Sequence, residues 1–312
     1  MEFKSTALIV ACSARKKVSG YGSIDFRDLE SSKDLDYLAE SWLSSLDDFS
    51  DKRKASEVYV GGDWPKLRSL SQQGCDLYIC SAGYGFVSQE EAIANYNATF
   101  TEKDPNFVGL KLPSDSTITD WINSISEVRT RARVPGLSDV IQSHETVVIA
   151  LPLGYLNAFW PLIRDALSVE VGRDVFVLCP SKFEPLKDHL SGVTYLYLDE
   201  RWRVLLKCTR STLATSGALY LLNSPSLLNH DALMEFDCSL PSAPQAEIKK
   251  KFENDEAVRD LLRHGWSSGV IPRQTTKALR YVRNTLGWSC EQSRFAKIVR
   301  ELKAKEDSYG EG

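Results

Sequence analysis

Short apolar runs alternate with amphipathic segments along the first two hundred residues of this 312-residue chain. Each run has the length of a β-strand and is rich in β-branched or aromatic residues. Strands that are apolar at successive positions are typical of a parallel sheet covered on both faces by helices. The pattern predicts a Rossmann-like three-layer α/β/α domain with a parallel sheet over residues 1–200. The predicted strands cover residues 7–11, 58–60, 77–80, 147–151, 175–178 and 195–198.

The segments between these runs carry helix-forming residues with apolar positions three and four apart. Residues 201–245 are interpreted as an irregular connection, because Pro225, Pro241 and Pro244 interrupt them. Within this connection, residues 202–208 and 219–222 suit either strands or helical turns. The helices of the main domain are predicted over residues 35–46, 64–71, 89–95, 118–129, 156–169 and 183–190.

The end of the chain indicates a helical module over residues 246–312. Strong helix formers begin it, and an apolar stripe over residues 274–286 then ends at Gly287, a natural C-terminal cap. Ser289 with Gln292 has the spacing of a capping box and predicts a following helix that extends to about residue 303. The last two helices form a helix-turn-helix-like pair. The alternative is an α-hairpin packed on the main domain.

Charge is unevenly distributed along the chain. The net charge is −4, but residues 263–305 hold ten Lys or Arg and two acidic residues. That segment therefore carries +8 and leaves −12 for the rest. A basic module attached to an acidic body suggests an anionic partner such as DNA, with a solvated basic face as the alternative. The predicted nucleic-acid contacts are Arg273, Lys277, Arg280, Arg283, Arg294 and Lys297.

Composition narrows the class of protein. With 43% hydrophobic and 26% charged residues, the chain is not a disordered one and has enough apolar surface for a core. No apolar run approaches the ~20 residues of a membrane helix, so a cytoplasmic protein without a membrane partner is expected. Seven scattered cysteines without a CxxC pair predict reduced thiols and no zinc site. No metal or other cofactor is expected.

A hydroxyl and three cations follow the first predicted strand. In an open parallel sheet, ligands bind beyond the carboxyl ends of the strands. Ser13, Arg15, Lys16 and Lys17 stand at such an end and suit a phosphate group of a nucleotide or nucleic acid. The glycines of a P-loop or a dinucleotide-binding loop are missing here. An ordinary basic loop is the alternative.

The run from Ser81 to Phe86 is a second candidate for substrate binding. Gly83 and Gly85 allow close approach of the backbone to a ligand, or positive φ angles. Tyr84 and Phe86 suit stacking on a nucleobase. The run therefore predicts a base-binding loop at the end of the third strand.

Three carboxylates are candidates for catalysis: Glu90, Glu91 and Asp63. Glu90 and Glu91 open the predicted helix over 89–95, and Asp63 follows the second predicted strand. Any of them suits orienting a water molecule or stabilising positive charge on a sugar. For the two glutamates, complementing the helix dipole is an equal alternative. Tyr96 and Asn97 follow about two turns later and point back to the site or simply pack.

Four motifs together resemble a bacterial and phage protein family. They are Cys-Ser-x-x-Lys-Lys at 12–17, an aromatic-x-Gly-Gly run at 59–62, Cys-Ser-Ala-Gly-Tyr-Gly-Phe-Val at 80–87 and Asn-Tyr-Asn-Ala-Thr at 95–99. The family's typical signature is a Leu-Ser-Ala-x-Tyr-Gly-Leu loop and a later Tyr-x-x-Thr. The family is distantly similar to the uracil-DNA-glycosylase-like domain found beside tRNA-guanine transglycosylase modules in archaeosine biosynthesis.

The resemblance covers about residues 6–100, with weaker support to residue 200. It implies an α/β/α domain that acts on a nucleobase in a nucleic acid. The chain has neither the Gly-Gln-Asp-Pro-Tyr loop nor the His-Pro-Ser loop of the well-known uracil-DNA glycosylases, so the resemblance assigns no catalytic acid. Residue by residue, it points to Ser13, Lys16, Ser81, Gly85, Tyr96 and Thr99.

The leading hypothesis is a DNA glycosylase that flips a nucleotide out of DNA into a pocket at the sheet edge. Its candidate substrates include modified bases in foreign DNA, as in defence against phage. One alternative is a non-catalytic nucleic-acid-binding protein. Another is a nucleoside or nucleotide hydrolase or a transferase. A metal-dependent nuclease is least favoured, because the sequence contains no PD-(D/E)xK or HNH-like cluster.

Overall fold

The chain divides into two compact units, Met1–Ala243 and Pro244–Gly312. Each unit has its own cluster of buried hydrophobic residues. None of the helices in the described part of the chain has both the length and the apolar character that a membrane span requires. The structure is a computed structural model, and it describes residues 5–13, 15–17, 22–168, 172–180, 183, 190, 192–242, 250–252 and 254–309.

The first unit is a mixed α/β unit built on ten described strands. They are β1 (Thr6–Ala11), β2 (Ile24–Asp25), β3 (Lys52–Lys54), β4 (Asp76–Ser81), β5 (Gly85–Ser88), β6 (Ala92–Ala94), β7 (Tyr96–Asn97), β8 (Thr146–Ala150), β9 (Asp174–Cys179) and β10 (Val193–Tyr197). Six of them form the central sheet, in the order β10-β9-β8-β1-β4-β5. All neighbours in this sheet pair in parallel except β4 and β5, which are antiparallel. Two small pairs, β2 with β7 and β3 with β6, lie outside it.

Helices flank the central sheet. Most of the helices predicted before residue 168 are present, with ends shifted by a few residues. The helix predicted over 183–190 falls largely outside the described residues. The helices of this unit are α1 (Leu35–Asp47), α2 (Ala55–Val58), α3 (Trp64–Gln72), α4 (Ile118–Arg131), α5 (Leu137–Ser143), α6 (Leu153–Leu167), α7 (Glu200–Leu206), α8 (Leu213–Leu222) and α9 (His230–Ser239).

The central strands are buried on both faces. Ala7, Leu8, Ile9 and Val10 of β1 are each at most 1% exposed, although neighbouring side chains of a strand point to opposite faces. Burial at successive positions requires cover on both sides of the sheet. It also explains why β1, β4, β8 and β9 were recognisable as continuous apolar runs.

The helix predicted over residues 89–95 is wrong. Ala92–Ala94 forms strand β6, which pairs antiparallel with Lys52–Lys54. Ile93 is fully buried, and the N–H of Ala94 donates to the Tyr84 hydroxyl at 2.8 Å. The helical propensity of Gln89, Glu90 and Glu91 is therefore overridden by strand pairing and burial.

The strand predicted over residues 58–60 is also absent from the sheet. Val58 ends the short helix α2, and Tyr59 makes only an isolated antiparallel bridge to Lys16. The Lys17 N–H donates to the Val58 carbonyl at 2.8 Å, and the Val60 N–H donates to the Arg15 carbonyl at 3.1 Å. The apolar run 58–60 is buried because it packs against residues 15–17, which follow β1.

Residues 201–242 are helical rather than an irregular connection. They form α7, α8 and α9 within the first unit. Helix α8 is buried on almost all sides, since seven of its ten residues belong to the core. A helix with so little polar surface has no amphipathic period, which is why its sequence also suited a strand.

The second unit is a small helical unit. Its helices are α10 (Asp255–Ser267), α11 (Thr275–Asn284) and α12 (Gln292–Tyr309), and its strands β11 (Lys250–Lys251) and β12 (Trp288–Ser289) pair in parallel. The predicted apolar stripes are buried, except for the half-buried Leu286. Two details differ from the prediction. The segment 250–251 is a strand rather than part of a helix, and Ser289 lies in β12, three residues before α12 begins.

Candidate functional site at the carboxyl ends of β1 and β8

The strand order reverses between β1 and β8. From β1 the chain continues to β4 on one side of the sheet, and it returns to β8 on the other. In open α/β sheets, the crevice beyond the carboxyl ends at such a reversal is the usual ligand site. Two adjoining cavities lie at this point, and Cys12 and Ser13 line both of them.

The smaller cavity has a volume of about 230 Å³, and most of the residues that line it have polar side chains. The Cys12 thiol lies 3.1 Å from the Tyr155 hydroxyl, which joins the end of β1 to helix α6. The Thr99 hydroxyl accepts a hydrogen bond from the Thr101 N–H at 3.1 Å. The residues that line this cavity are Cys12, Ser13, Lys16, Asn97, Ala98, Thr99, Thr101, Asp104, Asn106 and Tyr155.

Lys16 is the cation of the smaller cavity. Its Nζ lies 4.2 Å from the ring centre of Tyr96 and 5.9 Å from that of Tyr59. Burial lowers the pKa of the Lys16 ammonium, while the charges of Cys12 and Asp104 oppose that shift. Two aromatic rings therefore hold the amine at the cavity wall. The prediction had placed Lys16 in an exposed phosphate cluster with Lys17, but Lys17 is exposed and lines neither cavity in the described structure.

A network of three buried hydroxyl groups holds the tyrosine rings that contact Lys16. The Tyr96 hydroxyl lies 2.8 Å from the Tyr59 hydroxyl and 2.5 Å from Ser81 Oγ. Tyr59, Ser81 and Tyr96 have no solvent exposure. Desolvation by burial raises the pKa of both tyrosines well above 10. Both phenols therefore stay protonated. Their hydrogen bonds fix the two rings next to the Lys16 amine.

The raised tyrosine pKa values give the fold a characteristic alkaline limit. In the unfolded chain Tyr59 and Tyr96 lose their protons near pH 10, whereas in the folded chain they keep them. The unfolded state then binds fewer protons, so the free energy of unfolding falls by up to about 1.4 kcal/mol per pH unit for each tyrosine. Urea denaturation from about pH 9 to about pH 11 measures this fall. We expect Tyr59→Phe to make the fall less steep and Tyr37→Phe, at an exposed site, to leave it unchanged; equal slopes in both variants would contradict the assignment.

The turn from Ser81 to Gly85 is locked by the core rather than open to a ligand. Trp42 Nε1 donates to the Gly83 carbonyl at 2.7 Å, and Trp121 Nε1 donates to the Ala82 carbonyl at 2.9 Å. Ser81 Oγ accepts from the N–H groups of Gly83 and Tyr84. Gly85 has a φ of +69°, which the reversal into β5 requires. The glycines therefore serve packing and turn geometry.

The two aromatic residues predicted to stack on a base are both buried. Tyr84 is 3% exposed and packs edge-on against Tyr96. Phe86 is 6% exposed and stacks on Tyr78 with a ring separation of 5.4 Å. Neither ring lines the two cavities beside β1 in the described structure, so base stacking by these residues is not supported.

Gly83 is expected to tolerate no side chain. A Cβ at this position would lie 2.6 and 2.8 Å from two ring carbons of Tyr96, which is itself held by two hydrogen bonds. Gly83→Ala should therefore lower the free energy of unfolding by about 1–3 kcal/mol. Gly154→Ala is the matched control, because the space around Gly154 is open. Urea denaturation compares the two, and a Gly83→Ala variant as stable as the wild type would be inconsistent with this packing.

The larger cavity, about 360 Å³, collects groups that bind anions. Arg15 is exposed at its wall, next to Gly61 and Gly62. The N-cap residues of α3, α6 and α8, which are Asp63, Pro152 and Thr212, all line it. Among the described residues, none of these three side chains caps its own helix, whereas the N-caps of α1, α4, α9 and α10 do. The N–H groups at helix starts carry partial positive charge.

Two carboxylates reach the pair of cavities. Asp63 lines the larger one, where Oδ1 pairs with Lys66 at 3.0 Å and Oδ2 accepts from Ser216 Oγ at 3.0 Å. Asp104 lines the smaller one, and its Oδ1 accepts from the Asn106 N–H at 2.8 Å. Asp63 thus has both oxygens engaged by side chains. The Asp104 carboxylate faces the cavity that also holds Lys16.

Glu90 and Glu91 lie at the opposite edge of the sheet. Strand β5 runs antiparallel to β4, with Gly85 beside Ser81 and Ser88 beside Tyr78. Residues after β5 are therefore at the amino end of β4. There Glu90 pairs with Lys54 at 2.5 Å, and Glu91 pairs with Arg129 at 2.7 Å. Glu90 and Glu91 therefore do not lie in the same site as Asp63.

The residues marked by the family resemblance separate into three groups. Ser13, Lys16 and Thr99 line the smaller cavity. Ser81 and Tyr96 form the hydroxyl pair beneath Lys16, and Gly85 makes the turn into β5. Asn97 lines the same cavity, but its Nδ2 already donates to Asp25 Oδ1 at 2.6 Å.

Sequence reasoning missed several lining residues. Asp104 and Asn106 come from a loop without an apolar period, and the fold brings that loop to the same cavity as Cys12 and Ser13. Ser211, Thr212 and Thr215 were interpreted as part of an irregular connection. Tyr155, in helix α6 after β8, was not among the predicted site residues.

The six cations predicted to contact nucleic acid fall into three sets. Arg283 donates to the Cys290 carbonyl, and Arg294 pairs with Asp255 at 2.5 Å, so both support the second unit itself. Arg273 lies over the Trp266 ring at 5.6 Å. The remaining three, Lys277, Arg280 and Lys297, are exposed and have no ion pair within the described chain.

Comparison of the chain with family models, with curated proteins and with solved structures finds no match.

Proposed function

We propose that this protein is a DNA glycosylase-like enzyme that hydrolyses the N-glycosidic bond of a nucleobase in DNA, with modified bases of foreign DNA as candidate substrates. The observation that carries the proposal is the pair of adjoining cavities beyond β1 and β8, which share Cys12 and Ser13. One cavity offers groups for an anion, and the other offers a cation and a carboxylate. In this proposal the first unit is a Rossmann-like three-layer α/β/α domain.

The larger cavity suits the phosphate of a flipped nucleotide. The Arg15 guanidinium is exposed there, and the hydroxyls of Thr212 and Thr215 accompany it. Helix starts and guanidinium groups are two common ligands of phosphate in proteins. A nucleotide whose phosphate lies in this cavity would direct its sugar past Cys12 and Ser13 towards the smaller cavity.

The smaller cavity suits the sugar and the glycosidic bond. Hydrolysis of that bond develops positive charge on the sugar, which a carboxylate stabilises while it orients the attacking water. Asp104 is the carboxylate of this cavity. The polar groups of Ser13, Asn106 and Tyr155 surround the same space and provide hydrogen-bonding partners for the base.

The second unit supplies sequence-independent affinity for DNA in this proposal. We propose that α11 and α12 act as a helix-turn-helix-like pair. The exposed Lys277 and Arg280 are three positions apart on α11, opposite the buried Ala278, Leu279 and Val282. A helix that is packed on one side and cationic on the other suits contact with a phosphate backbone.

Base release separates the proposed enzyme from a binder. The protein is incubated with modified and unmodified DNA duplexes, and any abasic sites are then cleaved with alkali. We expect cleavage of at least one modified duplex. Retarded but intact DNA would indicate a non-catalytic binding protein, and release of base from free nucleosides alone would indicate a nucleoside hydrolase. Either of those two results would overturn the proposal.

A further inference from the structure

We propose that Lys16 gives the site a second activity: its amine forms an imine with the C1′ aldehyde of an abasic deoxyribose and cleaves the DNA strand by β-elimination. This inference rests on the proposed function, because removal of a base is the step that produces the aldehyde. It adds a covalent step and a strand-cleaving activity to simple hydrolysis.

The position of the Lys16 amine suits attack on a bound sugar. Lys16 lines the cavity assigned to the sugar, together with Asp104 and Tyr155. Its backbone is fixed by the bridge to Tyr59, and its ammonium group is held over the rings of Tyr96 and Tyr59. An amine fixed at a cavity wall reaches a bound carbonyl without first leaving a carboxylate partner.

The contacts of Lys16 differ from those of other lysines of the first unit. Lys52, Lys54 and Lys66 each pair with a carboxylate at 3.0 Å or less. Within the described chain, Lys16 instead rests on aromatic rings, and Asp104 acts on it only through its charge. A carboxylate partner keeps a lysine protonated, whereas a site without one leaves the amine available for addition.

Burial of Lys16 also favours the neutral form of its amine. Burial lowers the pKa of Lys16, whereas the hydrogen bond that Lys54 donates to Glu90 raises the pKa of the exposed Lys54. A larger fraction of Lys16 is therefore in the neutral, nucleophilic form at a given pH. Desolvated lysines are the usual nucleophiles of enzymes that form imines with carbonyl substrates.

The proposed steps balance without an oxidant or a reductant. The ammonium gives a proton to water, and the neutral amine adds to the aldehyde carbon of the ring-opened sugar, so that a C–N bond forms as the carbonyl π bond breaks. Protonation and loss of one water give a protonated imine. A base removes a C2′ proton, the C3′–O bond breaks, and the 3′ phosphate leaves with the electron pair. Water then hydrolyses the imine and returns the amine.

Asp104 is the group in this cavity suited to accept the C2′ proton. It is the carboxylate that lines the cavity with Lys16, and its Oδ1 is oriented by the Asn106 N–H. Removal of this proton is general base catalysis next to an electron-withdrawing imine.

Borohydride trapping on a preformed abasic site tests the inference. The full-length protein is mixed with a DNA duplex that contains one abasic site, and sodium borohydride is added to reduce any imine to a stable amine. We expect a covalent protein–DNA product, and peptide mapping of the wild-type product should place the adduct on Lys16. No product, or an adduct on another residue, would overturn the inference.

Variants make the assignment sharper. Lys16→Ala and Lys16→Arg should lose the trapped product, because neither side chain forms an imine. Lys54→Ala is the matched control, since it removes a lysine at the opposite edge of the sheet, and it should trap as the wild type does. Trapping by a folded Lys16→Ala protein at the wild-type level would contradict the inference, and peptide mapping of the wild type decides the matter if that variant fails to fold.

The trapping assay and the base-release assay fail separately. Base release without trapping would leave the proposed hydrolase and remove the lyase step. Trapping on the preformed abasic site without release of any base would support the Lys16 chemistry and overturn the glycosylase proposal. Absence of both would overturn both.

Discussion

Asp104→Asn is expected to lower the rate of base release by at least about 100-fold, the scale of a positioned acid–base group. Asparagine keeps the shape of the side chain and the acceptor for the Asn106 N–H, so the loop should keep its structure. It removes the negative charge that would stabilise a cationic sugar and orient water. Affinity for DNA should change little, because Arg15 and the second unit bind the phosphates in this proposal. Single-turnover kinetics with saturating protein measure the step directly.

Two controls accompany this variant. Glu90→Gln should keep the wild-type rate, because Glu90 pairs with Lys54 at the opposite edge of the sheet. Asp63→Asn should have a smaller effect than Asp104→Asn, since both Asp63 oxygens are already engaged by Lys66 and Ser216. A full rate in Asp104→Asn together with a large loss in Glu90→Gln would assign the chemistry to the other edge and refute this site.

The second large effect is expected in the affinity for long duplex DNA. Lys277→Ala combined with Arg280→Ala removes two exposed cations of α11 that have no ion pair in the described structure. The slope of log affinity against log salt should become shallower by about 0.9 for each phosphate group that the variant no longer neutralises. The weakening should be similar for all sequences, because binding to phosphates carries no base information. Fluorescence anisotropy at several salt concentrations gives the slope.

A double variant of equal charge provides the control. Arg259 and Arg263 both pair with Glu256 on α10, so replacing both with alanine removes the same positive charge from paired positions. We expect this control to change the salt slope less than the α11 variant does. Equal slopes in the two variants would mean that net charge, and not a defined surface on α11, determines the affinity.

The sheet could be predicted from the sequence because burial on both faces leaves a continuous apolar run. This holds for β1, β4, β8 and β9, whereas β10 at the end of the sheet is buried only at Thr194 and Leu196. Strand β5 was missed because it is four residues long and follows β4 after a turn of three residues. The missed strand also changes the position of Glu90 and Glu91. Because β5 runs antiparallel to β4, these two residues lie at the amino end of β4 and not at its carboxyl end.

The site could be predicted in part. The end of β1 was recognisable as a ligand site of an open parallel sheet, and with it Ser13, Arg15 and Lys16. Asp104 could not be found in this way, because its loop has no period and comes together with the end of β1 only in the folded chain. Tyr84 and Phe86 were predicted to stack on a base, and both are buried, because an aromatic side chain beside glycine has the same sequence whether it binds a base or fills a core.

Hydrogen–deuterium exchange with a DNA duplex that contains an abasic site tests the central claim, that substrate lies beyond the carboxyl ends of β1 and β8. The measurement compares amide exchange of the full-length protein with and without the duplex. We predict slower exchange at residues 12, 13, 15 and 16, which line the two cavities, and in the segment 98–106, which contributes Ala98, Thr99, Thr101, Asp104 and Asn106 to the smaller one. Unchanged exchange in these segments, with protection confined to residues 89–91 at the opposite edge, would contradict the account.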